Sequence, residues 1–141
     1  MKFDIIDYVV RYDCLYDSGY KFYKDAFKVN DGMDAPIVRN TNVRNNILNE
    51  CLGIATLENC EDGLVAKCIF NETDLGKIAK DAVNAKEYGL SIYANRIDYD
   101  ALAYPVTVKN VKSAWVLAIT LAPMAGIPKP ENSDAGDNGK E

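Results

Sequence analysis

The alternation of hydrophobic and polar positions along the chain predicts mostly β-strands. Residues 3–12 are rich in β-branched and aromatic side chains, a composition typical of a strand. Two apolar runs, 51–57 and 64–70, flank the Glu-Asp-Gly sequence at 61–63, and an Asp-Gly pair between such runs is a strong hairpin signal. Further strands are predicted at 36–38, 90–97, 105–109 and 111–121.

One segment, 73–86, has the period of an amphipathic helix. Its apolar residues fall at i, i+3, i+4, i+7 and i+8 and so form a single stripe. Thr73 or Asn71 can cap the first turn, and Gly89 suits the left-handed residue that often follows a helix. The stripe consists of Leu75, Ile78, Ala79, Ala82 and Val83.

A shorter helix is predicted at 23–29, with Ala26, Phe27 and Val29 facing inward, and an exposed loop at 39–49. Together the elements predict a single α+β domain over residues 1–127. We expect a small, mostly antiparallel, β-barrel-like domain of about six strands with one main amphipathic helix.

The composition changes after Pro123. Residues 128–141 are acidic and contain almost no apolar side chain, so burial cannot offset the entropy lost on ordering them. We therefore predict a disordered acidic C-terminal tail.

Charge and composition exclude several classes of function. The net charge of −5 disfavours nucleic-acid binding, and no apolar run is long enough for a transmembrane helix. The sequence contains no histidine, so it cannot build a histidine-based triad or a histidine-ligated metal site. The four cysteines lack the close pairing of a zinc site. We expect no metal, no cofactor and no membrane association, with the protein in the cytoplasm of its host.

Two segments resemble a known family. They are Lys-Glu-Tyr-Gly-Leu-Ser-Ile-Tyr-Ala-Asn at 86–95 and Asn-Val-Lys-Ser-Ala-Trp-Val-Leu-Ala-Ile-Thr-Leu-Ala-Pro-Met-Ala at 110–125. Together with the hairpin over 53–66 and the stretch 35–40, they resemble the prohead (head-maturation) serine proteases of tailed phages. The resemblance implies a small β-barrel flanked by helices, like the herpesvirus assemblin protease. It also implies a role in the immature head, where these proteases cleave scaffold or the scaffold-like arm of the capsid protein.

The resemblance also assigns site residues. The nucleophile of the family corresponds to Ser91, whereas the place of the family's histidine is taken by Thr41 or its neighbours Asn40 and Asn42. The acidic place corresponds to Ser113. A serine hydroxyl is a weak nucleophile without a base to take its proton. A lysine is the alternative base, and the candidates are Lys67, Lys86, Lys109 and Lys112.

Three functional hypotheses follow. In the first, the chain is a head-morphogenesis protein with a protease-like fold that binds capsid or scaffold protein, as a monomer or homo-oligomer, and is carried into the virion. In the second, it is an active prohead serine protease with a base other than histidine. In the third, it is a small cytoplasmic accessory binding domain. Five N-terminal tyrosines serve either core packing or a contact surface; they are Tyr8, Tyr12, Tyr16, Tyr20 and Tyr23.

Overall fold

A computed structural model describes residues 2–16, 19–39, 51–102, 108–124 and 127, with backbone alone at 96–102 and 108–109. Within these residues the chain is a mixed α+β structure, mostly strands with one α-helix, as predicted. The predicted disordered tail, 128–141, and most of the predicted loop, 40–49, lie outside the described residues, whereas Arg39 belongs to a strand. The strands are β1 (Ile5–Arg11), β2 (Tyr20–Phe22), β3 (Asp34–Arg39), β4 (Cys51–Cys60), β5 (Gly63–Phe70), β6 (Tyr88–Leu102) and β7 (Val108–Pro123). The helix is α1 (Asp74–Asn84), and Lys28–Asn30 forms a single 3-10 turn.

These strands join in one sheet that curls into a half-barrel. The order from one end is β1, β5, β4, β3 and β7, and β6 follows along the far edge of β7. Neighbouring strands are antiparallel except that β2 and β3 both run parallel to β7. The half-barrel therefore begins with β1 and ends with β6, and each of these strands has one edge turned away from its partner.

Two short strands, β2 and β3, pair with the edge of β7 that faces away from β6. Phe22 at the end of β2 lies opposite Val111, and Ile37 of β3 lies opposite Ile119. The 3-10 turn packs against β7 between these two contacts, which places Phe27 and Asn30 in the interior. The core is filled mainly by aliphatic residues from the inner face of the sheet, as the apolar patterning of the strands predicts.

The local predictions for the hairpin and the main helix hold. β4 and β5 pair across the turn at Glu61 and Asp62, and the helix starts where Thr73 Oγ1 accepts a hydrogen bond from Gly76 N at 3.1 Å. The apolar stripe of α1 is only partly covered, however. Ala79 is buried, whereas Leu75 and Ile78 are 61% and 64% exposed.

Two local predictions were wrong. The segment 23–29 forms turns rather than a helix because Asp25 adopts a positive φ of 66°, and Val29 is 49% exposed instead of facing inward. The left-handed residue after α1 is Lys86, with φ 65°, whereas Gly89 lies within β6. Gly89 is needed for close approach: a Cβ there would lie 2.6 Å from both Met124 Sδ and Ile127 Cδ1.

Candidate functional site

The two end strands of the half-barrel, β1 and β6, flank an open groove. Their Cα atoms approach within 8 Å, yet no backbone pairing joins them in the part of the chain that is described. A cavity of about 310 Å³ lies between them. We call this cavity the β1–β6 groove; it is lined by Val9, Val10, Tyr16, Tyr20, Phe22, Ser91, Ile92, Tyr93, Ala94, Ala114 and Ile127.

One wall of the groove is aromatic. Phe22 stacks on Tyr20 with ring centroids 5.9 Å apart, and the ring of Tyr16 meets Phe22 edge-on at 6.1 Å. Behind them the buried Phe27 lies 5.3 Å from Phe22 and supports the wall. Such a wall offers flat apolar faces that can receive an apolar or proline side chain.

The hydroxyl of Tyr16 is fixed by the neighbouring strand. It accepts a hydrogen bond from Arg11 N at 2.8 Å. Burial raises the pKa of Tyr16, so its hydroxyl stays protonated at neutral pH and cannot serve as a base.

Ser91 lies on the rim of this groove. It is half-buried on β6, opposite Thr120 of β7. The described residues that line the groove with it are aliphatic or aromatic and include no carboxylate and no ammonium group. Among these described residues, Ser91 therefore has no carboxylate or amine that could take its proton.

The structure does not bring Ser113 close to Ser91. Ser113 lies opposite Asp98 near the other end of the β6–β7 ladder, whereas Ser91 lies opposite Thr120. Seven residues of extended strand span about 23 Å, which is far beyond hydrogen-bond reach. The predicted histidine place, Thr41 with its neighbours Asn40 and Asn42, lies outside the described residues.

The lysines proposed as alternative bases are spread over the fold. Lys67 is on β5 and its Nζ lies 2.8 Å from Glu58 Oε1, a hydrogen bond that raises the pKa of Lys67 and keeps it charged. Lys112 is exposed on β7, eight residues from Thr120, a separation of about 26 Å along the strand. Lys86 precedes β6 in the left-handed region, and the side chain of Lys109 is not described.

A second cavity, of about 350 Å³, lies between α1 and the sheet. Leu75 and Ile78 of the helix line it, together with Leu52 and Leu121 of the sheet. It explains why the apolar stripe of α1 is only partly buried, and it shares no lining residue with the β1–β6 groove.

The described part of the chain shows neither a metal site nor a disulfide. Its side chains include no group of three or more Cys, Asp or Glu placed to hold a metal ion. The four cysteines are free thiols: Cys68 is buried, Cys14 and Cys60 are partly exposed, and Cys51 is exposed. No helix in the described ranges is long and apolar enough to cross a membrane.

Sequence reasoning missed the groove, although it had noted the N-terminal tyrosines. Tyr16 and Tyr20 line the groove, whereas Tyr12 is buried in the core and Tyr8 hydrogen-bonds Asp62 at the surface. The high density of tyrosine was the available sequence signal, but whether a given tyrosine lines the groove depends on which strand edge faces β1.

Comparisons of the chain with protein-family models, with curated proteins and with solved structures find no match.

Proposed function

We propose that this chain is a viral head-assembly protein that binds capsid or scaffold protein and does not cut it. The observation that carries the proposal is the setting of Ser91: a half-buried hydroxyl on the rim of an apolar and aromatic groove. Peptidase chemistry requires a base within hydrogen-bond reach of the serine. Binding of an extended chain requires only the groove and the strand edges beside it.

The geometry of the groove supports an extended ligand. β1 and β6 each turn one edge toward the gap between them. Strand edges carry unpaired N–H and C=O groups that attract another extended backbone. Apolar side chains on that backbone would pack against Val9, Ile92 and the aromatic wall, so the same site supplies hydrogen bonds and apolar contact.

The proposal is tested by co-expression with the major capsid protein and the scaffold protein encoded beside the gene. We expect the intact chain to co-purify with one of them and the precursor masses to remain unchanged. Ser91→Ala should bind equally well, as should the matched serine variant Ser113→Ala. A precursor cleavage that Ser91→Ala abolishes and Ser113→Ala preserves would show an active protease and overturn the proposal.

A second pair of variants locates the binding surface. Tyr93 lies on the groove and is 40% exposed, so Tyr93→Ala should fold normally and weaken co-purification severalfold. Ile54 is 53% exposed on the β4 surface away from the groove, and Ile54→Ala serves as the control. Equal binding by both variants and the wild type would remove the groove from the proposed function.

A further inference from the structure

The last described residue, Ile127, lines the groove. β7 ends at Pro123, opposite Tyr88 at the start of β6. Met124 and Ile127 then pack over Gly89, and Ile127 N donates a hydrogen bond to Met124 O at 3.3 Å. Ile127 lines the groove together with Val9 of β1 and Ser91 of β6.

The residues that follow have the chemistry to continue along this groove. The sequence after Ile127 is Pro128-Lys129-Pro130, and the residues beyond it are polar or charged except for one alanine and two glycines. Proline restricts both its own φ and the residue before it to extended conformations, so little entropy is lost on docking. Neither proline has an N–H that the apolar wall would leave unpaired.

The dimensions also agree. Three residues in a polyproline II conformation advance about 9 Å. The β6 residues that line the groove, from Ser91 to Ala94, cover three strand steps, or about 10 Å. Aromatic-lined grooves are the usual receptors for proline-rich segments in this conformation.

We propose that Pro128-Lys129-Pro130 of the same chain docks in the β1–β6 groove against Tyr20, Phe22 and Tyr93. The groove is then occupied by the protein's own tail, and any other chain that uses the groove must displace it. The proposal does not depend on what that other chain is. It goes beyond the function proposed above because it describes the protein alone.

Photo-crosslinking in the full chain tests the docking. Lys129 is replaced by p-benzoylphenylalanine and the purified protein is irradiated without any partner. We expect crosslinks within one chain, to the groove residues Tyr20, Phe22 or Tyr93. The same label at Asn138, in the polar part of the tail, should give no preferred crosslink to the groove.

Isotope mixing separates the possible occupants. In a mixture of ¹⁴N- and ¹⁵N-labelled protein, docking within one chain gives crosslinked peptides of a single isotope, whereas docking between copies gives mixed pairs. Mixed pairs at the groove would overturn the proposal in favour of a dimer. Crosslinks confined to other surfaces, or none above the Asn138 level, would overturn it as well.

Two further variants confirm that the prolines carry the interaction. In the Lys129-labelled chain, Pro128→Ser with Pro130→Ser should lower the groove crosslink yield severalfold, whereas Asn132→Ser should leave it unchanged. An unchanged yield in the double-proline variant would contradict the proposal. The samples contain no capsid or scaffold protein, so this result stands apart from the test of the proposed function.

Discussion

The side chain of Asn30 hydrogen-bonds the backbone of Val116 in the middle of β7: Val116 N donates to Asn30 Oδ1 at 2.9 Å. Asn30 Nδ2 donates in turn to Ala114 O at 3.0 Å. The carboxamide thereby supplies one donor and one acceptor to the stretch of β7 that lies between the partners β2 and β3. Asn30 is 1% exposed, so water cannot take over these bonds.

Replacing Asn30 by alanine should therefore be costly. Asn30→Ala leaves Val116 N–H and Ala114 C=O unpaired in the interior, and each unsatisfied group costs about 1–3 kcal/mol. We expect a loss of about 3 kcal/mol in the free energy of unfolding, measured by urea denaturation. Asn84→Ala, at the exposed end of α1, should change it by less than about 0.5 kcal/mol. Equal effects of the two variants would show that the Asn30 carboxamide is not structural.

Gly76 in the first turn of α1 should resist substitution by alanine. In most helices this change stabilises by about 1 kcal/mol because alanine has the higher helix propensity. Here a Cβ at Gly76 would lie 2.1 Å from Asn71 O, a backbone atom that cannot move aside freely. We expect Gly76→Ala to lower the melting temperature, whereas Asp81→Ala on the exposed face of α1 should maintain or raise it. A gain in stability for Gly76→Ala would contradict this packing.

Alkaline pH should destabilise the fold through two buried acids. Burial raises the pKa of Cys68 from 9.0 to about 12 and the pKa of Tyr12 from 10.0 to about 12. The unfolded chain releases these protons first, so both groups contribute their full stability below about pH 9 and lose it as the pH rises toward 12. The slope is at most about 1.4 kcal/mol per pH unit for each group.

Urea denaturation between pH 8 and pH 12 measures this loss. In Cys68→Ala, compared with its own stability at pH 8, most of the decline should begin about one pH unit higher, because the remaining buried groups with raised pKa values, Tyr12 and Tyr16, are tyrosines with an ordinary pKa of 10.0. Tyr12→Phe should instead keep the early onset and show a smaller decline above pH 10. If Cys68→Ala declines from the same pH as the wild type, the buried thiol is not responsible.

Trp115 should contribute less to stability than a tryptophan in a core. Its side chain is 39% exposed. Leu117 lies two residues further along the same strand, so it shares the outer face of β7 with Trp115, and it is 38% exposed. We expect Trp115→Ala to cost about 1 kcal/mol and its fluorescence to be quenched by acrylamide. Phe27→Ala, at a fully buried aromatic residue, should cost about 3–5 kcal/mol. A comparable loss for Trp115→Ala would show that the indole is a core residue.

The parts of the fold that the sequence predicted are those determined by local chemistry. The Asp62-Gly63 turn fixes the β4–β5 hairpin, and Thr73 begins α1 with its own hydroxyl. The β6–β7 ladder is longer than the sequence predicts, because the strand predicted at 90–97 extends from Tyr88 to Leu102.

The candidate site depends on contacts that no local pattern reports. Whether Tyr16 and Tyr20 are core or surface is decided by the distance between β1 and β6, which no sequence pattern in either strand determines. Gly89 looked like a helix end because glycine favours a positive φ, yet its role is to leave room for Met124 and Ile127. The environment of these two tyrosines and the role of Gly89 both depend on residues that are distant along the chain.

The position of β7 has a consequence for how the protein folds as it is synthesised. Among the strands of the described residues β2 pairs only with β7, so Phe22 lacks its strand partner Val111 until β7 has been synthesised. The β3–β4–β5–β1 part of the sheet can form earlier, from strands closer together along the chain. Contacts between distant residues are slow to form because a long loop must close first. The emergence of β7 is thus the step that completes the half-barrel, and until then the aromatic side chains of β2 lack their strand neighbour.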